Sequence, residues 1–379
     1  MKPFKATLAA LTTLALNAST VLAQDKFSTG AITWDTTNNN VWATSSGGTY
    51  DQPFVSGDNA IFEGTPGTIT LGEAITANSI TFSATSSGYI IEGNTMDLTG
   101  GKITQSVGSP TNVTHTITSA IIGSPSVDVA TNTAYQGMTF APTNGIVALG
   151  VCTVPSADGG SDKAGLTLGG TTTGNTVSQV QYYGNRRYGA ITKKGSGSWR
   201  VGNVVIGTVN INDGDLIANG EIETKYQGLK LHVGATLHYN NEGAVKGGSF
   251  NFLGGSLDNT SGAAITTSLY NPASSWGGNW TFLGSGGADS DLNLGTGAVT
   301  LTGNRTVTVQ DAATSLTIEG AIGDGLNVYG LAKAGEGTLV LTAANTYNGA
   351  TTVSAGTLSL GDGTNNSSLD DGAILEIDG

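Results

Sequence analysis

Two of the three histidines in the chain, His232 and His238, lie six residues apart in the stretch LHVGATLHY. Successive side chains of a β-strand point to opposite faces, so an unbroken strand would place both imidazoles on one face. There they could bind a metal ion such as Zn²⁺. No third ligand follows at a useful spacing, and Gly234 lies where it could break the strand. His115 has no nearby nucleophile that would suggest a Ser-His-Asp triad. The histidines therefore indicate neither a metal site nor a catalytic site.

Asp289 and Asp291 are surrounded by glycines in GGADSDLNLGTG, residues 286–297. Carboxylate oxygens are hard ligands that suit Ca²⁺, and a glycine-rich turn can present several of them to one ion. The stretch is similar to the Gly-Gly-x-Gly-x-Asp calcium repeats of some β-rolls, but it occurs once and lacks their nine-residue period. A weak calcium site at these two aspartates is one interpretation, and a solvated turn is the one that the pattern favours.

Trp276, Trp280 and Phe282 lie in the stretch SSWGGNWTF. Exposed aromatic rings can stack on sugars as they do on other rings and on cations, so Trp276 and Trp280 are candidate carbohydrate contacts. Aromatic rings stacked inside the protein are the more ordinary explanation of the same pattern. Nearer the N-terminus, Trp34 and Trp42 are expected to cover the strand edges at one end of the fold.

Cleavage of a polysaccharide needs carboxylates, or an arginine that acts as a base, gathered on one surface. The densest charged stretch is NRRYGAITKK, residues 185–194, which is basic and has no acidic neighbour. Arg186 and Arg187 would also point to opposite faces of a strand. The pattern gives little support to an enzyme, and no cofactor is predicted.

The composition is that of a protein built from strands and tight turns. Charged residues make up 11% of the 379 residues, against about 25% in ordinary globular domains, and the 58 glycines are about double the usual share. Threonine, serine and asparagine supply the polarity instead, and they suit strands and turns more than helices. The net charge of −13 disfavours nucleic acid and anionic lipid as partners. Cys152, the single cysteine, is predicted to be a small buried apolar residue.

Residues 1–23 have the features of a secretory signal peptide. Lys2 and Lys5 form a basic start, ATLAALTTLALNAST is an apolar stretch, and VLA offers small residues for cleavage after Ala23. The apolar stretch is too short and too rich in threonine for a membrane span. The mature chain is therefore predicted to be exported.

The rest of the chain alternates apolar and polar residues in short runs, such as Ile69/Leu71 and Ile80/Phe82, and Gly, Asn or Asp closes most runs. This alternation is the signature of strands, and no window of a dozen residues keeps a helical period. Single Gly or Asn residues at corners suit a coil of short strands that bends sharply with positive φ. Stacked coils of this kind bury a continuous apolar ladder.

An internal repeat supports such a stack. Lys193 aligns with Lys333, and the two glycines that follow each lysine also align. The matching pairs of segments are ITKKGSGSWRVGN (191–203) with LAKAGEGTLVLTA (331–343), INDGDLIANG (211–220) with VSAGTLSLGDG (353–363), and GATLHYN (234–240) with GAILEID (372–378). The same ordered set of small units therefore occurs twice, over residues 191–240 and 331–379.

Residues 333–361 resemble the autotransporter-associated β-strand repeat, also called the passenger-associated transport repeat. Its pattern K-x-G-x-G-T-L-x-L-T-x-x-N-T-Y-x-G-x-T-T-V-x-x-G-T-L-x-L-G is met almost in full. The matching positions are Lys333, Gly335, Gly337, Thr338, Leu339, Leu341, Asn345, Thr346, Tyr347, Gly349, Thr351, Thr352, Val353, Gly356, Leu358, Leu360 and Gly361. The copy that begins at Ile191 lacks the N-T-Y-x-G centre. Softer matches, such as WDTTNNNVW and SGDNAIFEG, extend the resemblance over most of the mature chain.

The resemblance implies a right-handed parallel β-helix, carried outside a Gram-negative-type cell or displayed on its outer membrane, in which such repeats help secretion and folding. The family often ends in an outer-membrane β-barrel or another sorting segment. This chain stops at ILEIDG within a repeat. It is therefore predicted to be a fragment of a longer protein, with the barrel or sorting segment missing.

The expected organisation has four parts. They are the signal peptide (1–23), an N-terminal start and cap of the β-helix (24–115), an irregular middle β region (116–190), and a β-helix with the two repeat units that is truncated at its C-terminus (191–379). A separate β-sandwich within residues 24–190 is the alternative to a single coil axis.

The expected function is non-enzymatic and structural, secretion-promoting or adhesive, with surface glycans or other cell-surface components as candidate partners. No membrane span is predicted in the chain. The alternative is a carbohydrate-binding or polysaccharide-cleaving β-helix, and a cleaving enzyme would bring at least two carboxylates together in a groove.

Overall fold

The structure is a computed structural model. It describes residues 22–37, 40–83, 88–105, 113–129, 136–155, 164–183, 189–267, 270–361, 368–369 and 375–377. Residues 1–21 of the predicted signal peptide lie outside the described residues, as do Arg186 and Arg187. Ala23 is exposed, close to the start of the described chain.

The described residues form strands joined by turns and loops, with no helix among them. The strands are β1 (Asp25–Trp34), β2 (Asn59–Leu71), β3 (Ile75–Thr76), β4 (Ser79–Phe82), β5 (Ile90–Gly93), β6 (Met96–Asp97), β7 (Lys102–Gln105), β8 (Val113–Ile117), β9 (Ile121–Ile122), β10 (Ser126–Asp128), β11 (Gln136–Phe140), β12 (Ala148–Pro155), β13 (Ala164–Leu168), β14 (Asn175–Tyr183), β15 (Gly189–Lys193), β16 (Ser198–Ile211), β17 (Gly214–Ala218), β18 (Ile222–Leu231), β19 (Ala235–Tyr239), β20 (Phe250–Phe252), β21 (Ser256–Asp258), β22 (Ile265–Thr266), β23 (Ser274–Trp276), β24 (Trp280–Phe282), β25 (Leu292–Asn293), β26 (Val299–Leu301), β27 (Arg305–Val309), β28 (Ser315–Ile318), β29 (Ile322–Gly323), β30 (Leu331–Ala334), β31 (Thr338–Leu341), β32 (Thr351–Val353), β33 (Thr357–Leu360) and β34 (Leu375–Ile377).

These strands pair in parallel and stack in columns that form the sides of a solenoid. The long strand β16 bends at its corners and takes part in three columns. Its Trp199 pairs with Leu216 of β17, while its Val204 and Ile211 pair with Ile222 and Leu231 of β18. The prediction of an all-β parallel solenoid is confirmed.

The strand pairing also runs through the N-terminal part of the chain. β1 pairs in parallel with β2, β7 with β10, and β14 with β16. A β-sandwich would pair its strands antiparallel. The described strands before residue 190 therefore belong to the same stack as the strands that follow.

Interior side chains stack in ladders along the columns. One ladder takes a residue from each successive turn, and its members are Ile69, Ile91, Ile117, Phe140, Leu168, Lys193, Ile211, Leu231, Phe252, Trp276 and Leu301. The apolar members are fully buried or nearly so. Each turn buries its apolar face against its neighbours, so every turn stabilises the next.

The N-terminal end of the solenoid is covered by residues 40–58, which fold back over it. Short antiparallel bridges join Phe27 to Ala43 and Trp42 to Gln52. The ring of Trp34 lies 5.1 Å from that of Trp42 and 4.8 Å from that of Phe54. Trp34 and Trp42 are fully buried. The prediction that they cover one end of the fold is confirmed.

Close approach between turns requires glycine at Gly320. A Cβ atom there would lie 1.8 Å from the carbonyl oxygen of Gly297 in the preceding turn. We expect Gly320→Ala to lower the free energy of unfolding by about 1 to 3 kcal/mol because backbone has to shift. Gly165→Ala is the matched control, since its Cβ would meet the Ala190 oxygen at 3.4 Å, an ordinary contact. Denaturant unfolding of both variants checks this, and equal stabilities would contradict it.

Candidate functional site

Lys333 is a buried cation at a corner of the solenoid, directly before the glycines of the repeat motif. Its Nζ donates hydrogen bonds to the carbonyl oxygens of Ala334 (2.9 Å), Gly335 (2.7 Å) and Ala355 (3.1 Å). The first two carbonyls belong to its own corner and the third to the following turn. The ammonium group therefore ties two turns together through backbone carbonyl groups at the corner that follows β30.

Lys193 repeats this arrangement. Its Nζ donates to the carbonyl oxygens of Lys194 (3.4 Å), Gly195 (2.6 Å) and Asp213 (2.8 Å), and the third again lies one turn further on. Asp213 and Ala355 are the aligned positions of the sequence repeat. Burial lowers the pKa of Lys193 to about 8, so the ammonium form predominates at neutral pH.

The two lysines nevertheless occupy different columns. Lys193 pairs with Ile211, whereas Lys333 pairs with Val307 and Val353. The repeat therefore specifies a strand that is followed by a corner whose carbonyl groups accept hydrogen bonds from a lysine. It does not specify in which column of the solenoid that strand lies.

The other motif residues form the body of the turn. Those that are buried are Gly337, Leu339, Leu341, Asn345, Tyr347, Gly349, Thr351 and Gly361. Those that are half-buried are Gly335, Thr338, Thr352, Val353 and Leu358, and those that are exposed are Thr346, Gly356 and Leu360. The buried hydroxyl groups of Tyr347 and Thr351 share a hydrogen bond of 2.6 Å. The buried motif residues therefore form the interior of the turn.

Asn345 joins three turns through its buried amide group. Its Oδ1 accepts a hydrogen bond from the N–H of Ile322 (3.0 Å), and its Nδ2 donates to the oxygens of Ala343 and Ser368. Asn175, which the sequence analysis did not single out, is its counterpart: its Oδ1 accepts from the N–H of Val147, and its Nδ2 donates to backbone oxygens of its own and the next turn.

Asp324 is a buried carboxylate that the sequence analysis missed. Its Oδ2 accepts hydrogen bonds from the N–H groups of Tyr329 and Asn348, both at 3.0 Å, and its Oδ1 accepts from Nδ2 of Asn348. Burial by itself would raise the pKa of Asp324, but these hydrogen bonds outweigh it and lower the pKa. The Asp-Gly pair at residues 324–325 was the available signal for an anchored loop.

The strand is interrupted between His232 and His238, at the glycine that the sequence indicated as a possible break. Gly234 adopts a φ of 86° and ends the strand pattern between them, so only His238 lies within β19. His238 is flanked by two carboxylates, with Nε2 3.7 Å from Asp215 and Nδ1 3.7 Å from Asp258. In the described part of the chain, no group of three or more metal-ligating side chains is close enough to hold a metal ion.

The contacts of Asp289 and Asp291 in the described part of the chain do not place their carboxylates around one ion. Asp289 is exposed, and Oδ1 of Asp291 accepts a hydrogen bond of 2.7 Å from the N–H of Ser315. This bond ties two successive turns, which is a structural role. A calcium site at these residues stays a prediction.

The tryptophans proposed as sugar contacts face inward, so the structure corrects that expectation. Trp276 is fully buried and Trp280 is 2% exposed. Trp280 packs against Phe252 at 4.6 Å and against Trp276 at 5.2 Å between ring centroids. Burying these large rings stabilises the fold, and in their buried positions a sugar cannot reach them.

Two carboxylates, Asp311 and Glu336, line a surface groove of about 460 Å³. Oδ1 of Asp311 accepts a hydrogen bond of 2.8 Å from the N–H of Ala313, as expected of an aspartate that stabilises its own turn.

Cys152 is fully buried, and burial raises the pKa of its thiol, so it is not a nucleophile.

His115 lies inside the solenoid, stacked 4.1 Å from the ring of Phe82. Its Nδ1 accepts a hydrogen bond of 3.0 Å from the N–H of Tyr89. Burial lowers the pKa of His115 to about 4 from 6.5. The imidazole is therefore neutral in the folded chain at neutral pH.

Acid should destabilise the fold through His115. Between pH 6.5 and about 4 the unfolded chain binds a proton at this imidazole and the folded chain does not, so stability falls as the pH falls. At about 1.4 kcal/mol per unit, the loss approaches about 3 kcal/mol near pH 4. We expect His115→Phe, which keeps a stacking ring, to lose this part of the pH dependence. Urea unfolding from pH 4 to 7.5 measures it, and equal slopes for both proteins would contradict the assignment.

Comparison with known proteins agrees with this scaffold. Residues 331–360 match the family model described as the passenger-associated-transport-repeat. Over 377 residues the chain is 27% identical to "Adhesin BmaC autotransporter" of Brucella suis biovar 1 (strain 1330), an alignment that covers 88% of this chain and 10% of that protein. The chain therefore spans about a tenth of the length of the curated relative it matches. No solved structure gives a significant match.

The described residues contain no helix that is long and apolar enough to cross a membrane. The repeat predicted from residues 333–361 is confirmed by the family match over residues 331–360. The chain carries a passenger-associated transport repeat within a parallel β-solenoid, and over most of its length it is similar to an autotransporter adhesin.

Proposed function

We propose that this chain is an adhesive segment of an exported passenger, a rigid β-solenoid that presents contact surfaces outside the cell and catalyses no reaction. The observation that carries the proposal is the use of the motif side chains: Lys333, Asn345 and Tyr347 all bond within the scaffold. The similarity to an autotransporter adhesin supports the adhesive role. Its location would be the cell surface or the surrounding medium.

The geometry suits a chain that folds while it is being exported. Each turn satisfies its strand edges on the turn before it, so folding can proceed one turn at a time from an established end. The buried cap around Trp34 provides such an end, and Lys333 and Asn345 connect the turn that carries the repeat to its neighbours. The same contacts support a secretion-promoting role of the repeat.

Adhesion can be tested directly with the purified chain coated on fluorescent beads. We expect these beads to bind cultured epithelial cells more than beads coated with an unrelated protein of similar net charge. Heat-unfolded chain should lose the binding, since the contact surface requires the solenoid. Equal binding by the acidic control protein would overturn the adhesive role.

The non-enzymatic part of the proposal has a separate test. We expect incubation with pectin, hyaluronan and other acidic or neutral polysaccharides to release no new reducing ends. Release that disappears in Asp311→Asn or Glu336→Gln would assign catalysis to the groove these carboxylates line, and the proposal would then be wrong.

A further inference from the structure

A second groove, of about 510 Å³, lies beside the outer face of β27, β30 and β32, next to the loop that follows β29. Its volume is in the range of small-molecule sites, about 300–1,000 Å³. The groove is lined by Arg305, the amides of Asn279 and Asn304, the hydroxyl-bearing Thr306 and Thr352, and the apolar Val328. No carboxylate is among the described residues that line it.

Arg305 is fixed in the groove by acceptors of its own corner and of the preceding turn. Its Nε donates to the oxygen of Trp276 (2.8 Å), Nη1 to the oxygen of Asn304 (2.8 Å), and Nη2 to Oγ1 of Thr302 (3.3 Å). The guanidinium group lies against Gly303, where a Cβ atom would be 2.6 Å from Nη2. The side chain is therefore held in place before any ligand binds.

This arrangement leaves donors of Arg305 unused. A guanidinium group has five N–H donors, and three are engaged, so each Nη keeps one N–H. No carboxylate within the described ranges forms an ion pair with Arg305. A carboxylate forms short, charge-assisted hydrogen bonds with N–H donors of this kind.

The two asparagines present their amide N–H groups in a fixed orientation. Oδ1 of Asn279 accepts a hydrogen bond from the N–H of Thr306 (2.9 Å), and Oδ1 of Asn304 accepts from the N–H of Gly330 (2.8 Å). Because each Oδ1 is engaged, each Nδ2 remains a donor on the exposed side of its residue. Donors of this kind recognise hydroxyl oxygens.

One edge of the groove is apolar and anchored. Val328, which lines the groove, is 73% exposed and lies in a loop that Asp324 holds by its hydrogen bond from the N–H of Tyr329. Exposed aliphatic side chains on an anchored loop offer a surface for the carbon face of a sugar ring.

We infer that this groove binds a carboxylated sugar, with the carboxylate on Arg305, hydroxyl groups on the asparagine amides, and the ring against Val328. The inference rests on the proposed adhesive function and names the class of ligand. A single guanidinium matches a monoanion better than a phosphate dianion or a nucleic acid. The net charge of −13 acts against anions over distance, but screening limits this to about 8–10 Å at physiological salt.

Titration calorimetry of the purified chain with sialyllactose, glucuronate and neutral lactose tests the inference. We expect saturable binding of the two carboxylated probes and none of lactose. Arg305→Gln should weaken the binding by about tenfold or more, and Arg305→Lys should do nearly as much because a lysine ammonium group cannot replace a planar guanidinium that is held by three acceptors. Gly303→Ala should weaken it several-fold by displacing the guanidinium group.

Arg200→Gln is the matched control, since Arg200 is exposed and the substitution removes the same charge elsewhere. Thr352→Val, which lines the groove and anchors no other residue in the described contacts, should weaken binding without changing the thermal midpoint. Binding unchanged in Arg305→Gln, or weakened equally in Arg200→Gln, would overturn the inference, as would lactose binding as tightly as sialyllactose.

Bead adhesion measured on the same proteins separates this inference from the proposed function. If beads coated with wild-type chain and beads coated with Arg305→Gln adhere equally, and neither protein binds the glycans, the inference is overturned and the adhesive role stands. A different result would be that the wild-type chain binds carboxylated sugars but beads coated with it do not adhere to cells. That result would support the inference and overturn the adhesive role.

Discussion

Replacing Lys333 with methionine is expected to lower the free energy of unfolding by about 2 to 4 kcal/mol. The substitution keeps most of the apolar length of the side chain and removes three donated hydrogen bonds. The carbonyl oxygens of Ala334, Gly335 and Ala355 would then be left without this donor at a half-buried corner. Denaturant unfolding followed by circular dichroism measures the change.

Lys193→Met should behave like Lys333→Met because Lys193 caps an equivalent corner. Lys194→Met is the matched control, since Lys194 is exposed and loses the same charge one position away. A loss of stability in all three variants would point to net charge, and no loss in the first two would show that the corner carbonyls do not depend on the lysines.

The second large effect is expected from Trp34→Ala, with a loss of about 3 to 5 kcal/mol in the cap and the turns beneath it. The Trp34 ring contacts Trp42, Phe54 and Phe62 at 4.8 to 5.6 Å between ring centroids, so its removal opens a large cavity. In a solenoid each turn contacts mainly its neighbours, and the loss should therefore be greatest near this end.

Hydrogen exchange resolves where the Trp34 variant opens. We expect faster exchange in β1, β2 and β4 and little change beyond β20. Trp34→Phe is the control because it keeps a ring and removes an indole N–H that has no hydrogen-bond partner among the described residues. Uniform loss of protection along the whole chain, or none at all, would contradict a local cap.

Local sequence patterns predicted much of this architecture. The spacing of Leu339 and Leu341 at every second position is a property of the strand itself, and β31 buries these two leucines while Thr338 and Val340 are half-buried. The lysine and glycines of the repeat were also readable, because a corner with positive φ needs glycine wherever it lies, as at Gly335 (φ 78°). The role of the lysine was not readable, since its third acceptor lies 22 residues away.

The groove around Arg305 shows why the surface was harder to predict. Its guanidinium group is fixed by the oxygen of Trp276, which is 29 residues away in the chain. Nothing in the local sequence TGNRTV distinguishes this arginine from an ordinary exposed one. The same limit explains Trp276 and Trp280, whose spacing fits exposed rings and buried rings equally well.

By itself, the sequence determined that the chain forms short strands with glycine corners, that it stacks them as a solenoid, and that residues 333–361 form a transport repeat. Tertiary structure alone decided which residues face each other across turns, which rings are buried, and which cations keep unused donors. The physical reason is the distance along the chain over which each kind of interaction acts. Strand alternation and corner φ depend on neighbours in the chain, whereas burial and hydrogen-bond partners depend on the register between turns, as in the pairing of Trp276 with Leu301.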